Sequence, residues 1–110
     1  MSSLEAAFQQ ASLDDAAWVT KRGYFPGYFV EMVYKLGGVG AAHRLLEQEE
    51  PSAGLMRLWE MGLLDHSLEA MVLKPEYASL FSAEELATAR RKLADLEYRA
   101  PWDTGADDTP

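Results

Sequence analysis

Apolar residues recur along this chain with the period of a helix. Leu4, Phe8, Ala11 and Trp18 fall on one stripe of a helix predicted from residue 3 to about residue 20. Runs of alternating apolar and polar residues, which are typical of half-buried strands, do not occur in the sequence, and neither does an Asn-Gly or Asp-Gly hairpin turn. The pattern therefore predicts an all-α protein.

Starts and stops of further helices can be read from capping residues. Pro26 is favoured as a first helical residue, and the pair Gly37-Gly38 is expected to stop the helix that it begins. Ser82 and Glu85 have the spacing of a capping box, in which two side chains satisfy free N–H groups at a helix start. These signals predict a compact bundle of five to six short helices, with later members at residues 26–36, 39–47, 52–61, a short segment ending near 73, and 83–98.

The stretch from residue 52 to residue 73 resembles a helix-turn-helix pair. Gly62 stands where a left-handed cap is expected, with Leu63 folding back on the preceding helix. Asp65 is predicted to cap the second helix of the pair. Trp59 shares a stripe with neighbouring leucines and is predicted to anchor the core.

Length and composition favour one domain at residues 1–99, followed by a disordered acidic tail at 100–110. The tail combines Pro, Gly and Thr with Asp103, Asp107 and Asp108, a composition typical of disorder. The chain has no cysteine, its start lacks the features of a secretory signal, and its longest apolar runs are far below the roughly twenty residues needed to span a bilayer. We therefore expect a cytoplasmic protein that is not inserted in a membrane.

Catalytic chemistry has little support in the sequence. His43 and Glu47 are four residues apart on a helix and could offer two metal ligands, but further ligands at a diagnostic spacing are missing. His66 and Ser67 are adjacent, so their side chains point in different directions on a helix. We predict no catalytic, cofactor-binding or metal-binding residues and no enzyme activity, and a small metal-dependent enzyme at His43 is the least favoured alternative.

Nucleic-acid binding is the second interpretation, because the pair at 52–73 has the spacing of a DNA-binding unit. A recognition helix needs Arg, Lys, Asn or Gln on its exposed face. Here Glu69 would face the phosphates, and the only base is Lys74 at the end of the helix. The net charge of −8 also repels polyanions.

A surface for a protein partner has better support. Aromatic and basic residues concentrate between residues 21 and 35, and such residues anchor interfaces. Met61 and Leu63 are expected to add an exposed apolar spot beside the Gly62 turn. The predicted partner-binding residues are Lys21, Arg22, Tyr24, Phe25, Tyr34, Lys35, Met61 and Leu63, with Tyr28 in the same aromatic group.

The assembled motifs resemble a widespread group of small, uncharacterised bacterial helical proteins and appended domains. Within about residues 4–98 the matching strings are Gly-Tyr-x-Pro-x-Tyr-Phe (23–29), Gly-Gly-Val (37–39), Arg-Leu-Leu (44–46), Pro-Ser-x-Gly (51–54), Leu-Trp-Glu (58–60), Leu-Asp-x-Ser (64–67), Glu-Ala (69–70) and Leu-Phe (80–81). Phe25 departs from the group, which tends to have Asn there. The resemblance implies a bacterial helical domain and no known activity.

The first interpretation of the sequence is accordingly a non-enzymatic helical interaction module. We expect a cytoplasmic bacterial adaptor or regulatory partner that binds another protein or a second copy of itself.

Overall fold

The structure, a computed structural model, describes residues 2–103. Over this range the chain forms five α-helices: α1 (Ser3–Thr20), α2 (Gly27–Leu46), α3 (Ala53–Met61), α4 (Leu68–Val72) and α5 (Ala83–Asp95). Single turns of 3₁₀ helix at Leu64–His66 and Ala78–Leu80 lie on either side of α4. The described residues include no strand. The prediction of an all-α bundle is confirmed.

Helix α2 bends at Gly37, where it packs against α1. Gly37 has a φ of 81°, and the chain resumes helical geometry directly afterwards. The N–H of Gly38, which the break deprives of its helical partner, donates to Gln9 Oε1 at 2.9 Å. A Cβ at residue 38 would lie 2.7 Å from the Gln9 Cα, so only glycine permits this approach. Gly37 thus interrupts the helix where the sequence predicts a stop, and the two predicted helices correspond to the segments of α2 before and after it.

The main core is formed by α1, the second half of α2, α3, α4 and α5. Phe8 is fully buried at its centre and makes edge-on contacts with the rings of Tyr77 and Phe81. Val72 and Leu93 are buried in the same cluster. A smaller cluster around Met32, Val33 and Ala41 fills the space between α1 and α2. The short α4 is therefore a central element, with four of its five residues buried.

Serine caps begin several helices. Ser82 and Glu85 form both bonds of the predicted capping box. Helix α4 is capped by Ser67, whose Oγ accepts from the Ala70 N–H at 3.1 Å. The prediction of Asp65 as this cap is wrong, because Leu64–His66 form a separate 3₁₀ turn and the α-helix begins after it.

The turn after α3 has the predicted geometry. Gly62 is left-handed, with a φ of 72°, and the Leu63 N–H donates to the Leu58 carbonyl at 2.8 Å. Trp59, in contrast, is 46% exposed and is not the predicted core anchor. Leu55 and Leu58 are buried one turn apart on α3, and Trp59 is rotated by about 100° from Leu58, away from that face.

Residues 100–103 pack against the bundle, within the segment that the sequence predicts to be a disordered tail. Ala100 is buried, and the Trp102 Nε1–H donates to the Ala70 carbonyl at 2.7 Å. Asp103 accepts hydrogen bonds from Arg90 on α5. A composition typical of disorder was outweighed by these specific contacts. The rest of the predicted tail, 104–110, lies outside the described residues.

None of the helices within residues 2–103 combines the length and the apolar character that crossing a bilayer requires.

Candidate functional site

A cleft of about 550 Å³ opens between α1, the two ends of α2, α3 and α4. Its walls are mainly apolar, with Val19 from α1, Met32 from α2, Leu55 and Leu58 from α3, and Met71 from α4. This volume falls in the range of sites that hold a small molecule or a few side chains.

Aromatic residues of the segment before and at the start of α2 form the rim of the cleft. Phe25 and Tyr28 are 68% and 70% exposed, while Tyr24 is half-buried and burial raises the pKa of its hydroxyl. A Cβ on Gly54 would lie 2.7 Å from the Tyr24 hydroxyl, so this glycine leaves the space that the tyrosine occupies. The rim therefore presents two large rings to solvent, next to an apolar cavity.

One of the acidic residues that line the cleft is Glu69, which is 3% exposed. Lys92 of α5 places its Nζ 3.7 Å from Glu69 Oε2 and donates a hydrogen bond of 3.0 Å to the Leu45 carbonyl. Burial raises the pKa of Glu69, although the Lys92 charge opposes this effect. Burial likewise lowers the pKa of Lys92, opposed by Glu69. The pair thus places two ionisable groups in the interior of a small domain.

A second carboxylate, Asp15, lines the cleft beside His66. The two side chains are 3.0 Å apart, between Asp15 Oδ1 and His66 Nδ1. The His66 ring stacks on Trp18 with ring centroids 3.7 Å apart, and the Arg22 guanidinium lies 3.3 Å from the centre of the same indole ring. These contacts hold His66 in a fixed orientation at the cleft wall.

The structure brings only part of the predicted partner surface together. Tyr24, Phe25 and Tyr28 line the cleft. Tyr34 is 79% exposed and, like Lys35, lies outside the lining; Lys35 pairs with Glu31 on the surface of α2. The other predicted partner residues also lie outside the lining: Lys21, Arg22, Met61 and Leu63.

Met61 and Leu63 are half-buried. Leu63 is held against the end of α3 by its bond to the Leu58 carbonyl. The exposed apolar spot predicted at this turn is therefore smaller than expected, and the larger exposed rings of α3 and α2 lie elsewhere on the surface.

Sequence reasoning did not identify Asp15 and Glu69 as residues that line one cleft, or Lys92 as the partner of Glu69. Glu69 was expected on an exposed face, but it is buried because α4 packs into the centre of the bundle. A signal did exist at Lys92, which lies on the apolar stripe of α5 between the buried Ala89 and Leu93. A charged residue on a buried stripe requires a partner, although the stripe alone cannot identify it.

The two alternative sites, a metal site at His43 and Glu47 and a DNA-binding pair at 52–73, differ in geometry from what the sequence suggested. The His43 Nδ1 lies against Glu85 Oε2 rather than Glu47. Within residues 2–103, no group of three or more His, Cys, Asp or Glu side chains could hold a metal ion. Helix α4 has five residues, of which four are buried, so it does not present the long exposed face of a recognition helix.

Comparison of the chain with protein-family models, with curated proteins and with solved structures found no match.

Proposed function

We propose that this protein is a non-enzymatic helical interaction module, an adaptor or regulatory partner, that holds a segment of another protein in its cleft. The observation that carries the proposal is the exposed pair Phe25 and Tyr28 at the rim of an apolar cavity of about 550 Å³. Exposed aromatic rings around a concave apolar surface are the usual anchors of a protein interface.

The polar groups of the cleft support binding rather than catalysis. The hydroxyl of Ser12 donates to the Phe8 carbonyl of its own helix at 2.9 Å, so its proton is not directed at a base. Ser67, beside His66, donates to the Leu64 carbonyl and caps α4. Both hydroxyls donate to backbone carbonyls, and neither has the arrangement of an activated nucleophile.

The size of the cleft supports an extended or helical segment that inserts one or two side chains. Such anchors fill a pocket while the surrounding residues of the segment contact the rim. We place this module in the bacterial cytoplasm, a proposal supported by the absence of cysteine and by the resemblance in residues 4–98.

Selection from a displayed library of random 15-residue peptides tests the proposal. Enriched peptides are expected to bind the purified wild-type protein and to lose about tenfold or more in affinity when Tyr28 is replaced by Ala. Ala53→Trp, at an exposed residue of the cleft lining, should block the cavity and weaken the same peptides.

Tyr34→Ala is the matched control, since Tyr34 is an equally exposed tyrosine on α2 outside the cleft. It should leave peptide affinity unchanged within about twofold. Failure to enrich any peptide, or binding that survives both Tyr28→Ala and Ala53→Trp, contradicts the proposal.

A further inference from the structure

The two carboxylates that line the cleft already have partners. Asp15 Oδ1 lies 3.0 Å from His66 Nδ1, and Glu69 Oε2 lies 3.7 Å from Lys92 Nζ. A cationic ligand would therefore have to compete with groups that the protein itself supplies.

The segment that forms the aromatic rim carries positive charge. Residues 16–30 contain two bases, Lys21 and Arg22, and no acidic residue, whereas the whole chain has a net charge of −8. The same segment contributes the rim residues Phe25 and Tyr28 to the cleft lining. Neither base forms an ion pair within the described part of the chain. This edge of the cleft is thus locally positive on an otherwise acidic protein.

The Arg22 guanidinium is held in a fixed position. Its Nη1–H donates to the Trp18 carbonyl at 3.1 Å, and its Cζ lies 3.3 Å from the centre of the Trp18 ring. The side chain is nevertheless exposed, and the edge formed by Nε and Nη2 has no hydrogen-bond partner among the described residues. Because the stacking already restricts this side chain, binding a carboxylate costs less conformational entropy than it would at a mobile surface arginine.

The guanidinium lies one aromatic ring away from the wall of the cleft. His66, which lines the cleft, stacks on Trp18 with 3.7 Å between the ring centroids. Two groups so close to one ring must occupy its opposite faces, so Arg22, Trp18 and His66 form three layers. The thickness of these layers corresponds to about two residues of extended chain, which advances roughly 3.3 Å per residue. A ligand residue close to one that enters the cleft can therefore reach Arg22.

We propose that the segment bound in the cleft carries an aspartate or glutamate within about three residues of its apolar anchor, and that the Arg22 guanidinium binds this carboxylate. A guanidinium edge offers two parallel N–H donors that match the two oxygens of a carboxylate. This inference rests on the proposed function, and it identifies the chemistry of the partner segment.

The first test changes only the peptide, so the fold of the protein is not in question. Peptides enriched against the wild-type protein are expected to contain Asp or Glu near the apolar anchor. Replacing that residue with Asn or Gln, which keeps its shape and removes its charge, should weaken binding about tenfold.

The outcomes of this test separate the two proposals. Enriched peptides that lack an acidic residue, or an amide form that binds as tightly, overturn the carboxylate inference. The interaction module still stands in that case if Tyr28→Ala abolishes binding. Failure to enrich any peptide overturns both.

Substitution of Arg22 assigns the effect to its guanidinium. Arg22→Gln should weaken the acidic peptide about tenfold but change the affinity of the amide peptide by less than about twofold, because the amide peptide lacks the interacting charge. Arg22→Lys keeps the charge and loses the planar pair of donors, so its affinity should lie between those of wild type and Arg22→Gln. Equal losses for the acidic and the amide peptide would show that Arg22 acts through the fold of α1, and would overturn the inference.

Arg91→Gln is the matched control. It also removes one positive charge from an exposed arginine, but on α5, none of whose described residues lines the cleft. It should leave the affinity of both peptides unchanged within about twofold. An equal loss in Arg91→Gln and Arg22→Gln would show that only the overall charge matters, which contradicts the inference. Self-association of the wild type that disappears in Arg22→Gln, in place of peptide binding, would identify a second copy as the occupant and overturn it as well.

Discussion

Glu69 and Lys92 form an ion pair between α4 and α5, with 3.7 Å between Oε2 and Nζ and both side chains almost completely buried. Removing two charges from water has a large cost, and mutual attraction offsets it only in part. Such a pair therefore does not explain the stability of the domain. It does fix how α4 and α5 face each other, because either charge without the other would be strongly unfavourable in the interior.

Lys92→Met is expected to destabilise the protein by about 3–5 kcal/mol at pH 7, since it leaves the Glu69 carboxylate buried and unpaired. Burial raises the pKa of Glu69 in the folded protein. As the pH falls through that raised pKa, the folded state binds a proton that the unfolded state does not yet bind, so the variant should regain stability. The gain is complete once the pH lies below the pKa of the unfolded chain. Urea denaturation at several pH values between 7.5 and 4 measures this trend.

The double variant Glu69→Leu/Lys92→Met is the control for this pH dependence. With no buried charge left, its stability should be close to that of the wild type or above it. It should also lack the recovery at acid pH. A flat profile for Lys92→Met would show that Glu69 is hydrated rather than buried.

Trp102→Ala should lower the free energy of unfolding by about 2–3 kcal/mol, because it removes a half-buried ring and the hydrogen bond to the Ala70 carbonyl. Pro101→Ala, at the exposed neighbouring position, should change it by less than about 1 kcal/mol. Thermal and urea melts of both variants check the packing of residues 100–103. Equal losses in the free energy of unfolding for the two variants would support a domain boundary at residue 99.

Trp59→Ala should cost only about 1 kcal/mol, because Trp59 is 46% exposed and is not among the buried residues of α3. Leu55→Ala, four residues earlier on the buried face of the same helix, should cost about 2–5 kcal/mol. The comparison is made by chemical denaturation of both single variants. A larger loss for Trp59→Ala than for Leu55→Ala would contradict the burial of Leu55 and the exposure of Trp59.

Ser82→Ala should destabilise the protein by about 1 kcal/mol, because it removes the acceptor for the Glu85 N–H at the start of α5. Ser79→Ala, at an exposed serine in the 3₁₀ turn before α5, is the matched control and should be close to neutral. Melting midpoints of the two variants give the comparison. If both match the wild type, the capping box does not contribute to stability.

The features of this fold that could be predicted from the sequence are those determined by residues close together in the chain. The left-handed Gly62, the break at Gly37 and the Ser82 capping box each depend on residues within one turn of the chain, so their identities are sufficient. The all-α class follows in the same way from a period that persists through each helix.

Features that depend on distant contacts could not be predicted in this way. Trp59 and Leu58 are adjacent in sequence, and only the packing of α3 decides which is buried. Trp102 finds its acceptor 32 residues away, at Ala70, so composition alone predicted disorder there. Glu69 lines the cleft only because α4 packs in the centre of the bundle. The rim residues Tyr24, Phe25 and Tyr28 could be predicted from the sequence, because aromatic residues are concentrated in this stretch of the chain.

The most direct test of the central claim is to map binding on the ¹⁵N-labelled protein with a peptide from the library selection. Amide signals around the cleft, such as those of Asp15, Gly27 and Glu69, should shift with a single saturable dissociation constant. Signals of Tyr34 and Lys35, on the part of α2 outside the cleft, should stay in place. Shifts concentrated at Tyr34 and Lys35, with the cleft signals unchanged, would contradict the account.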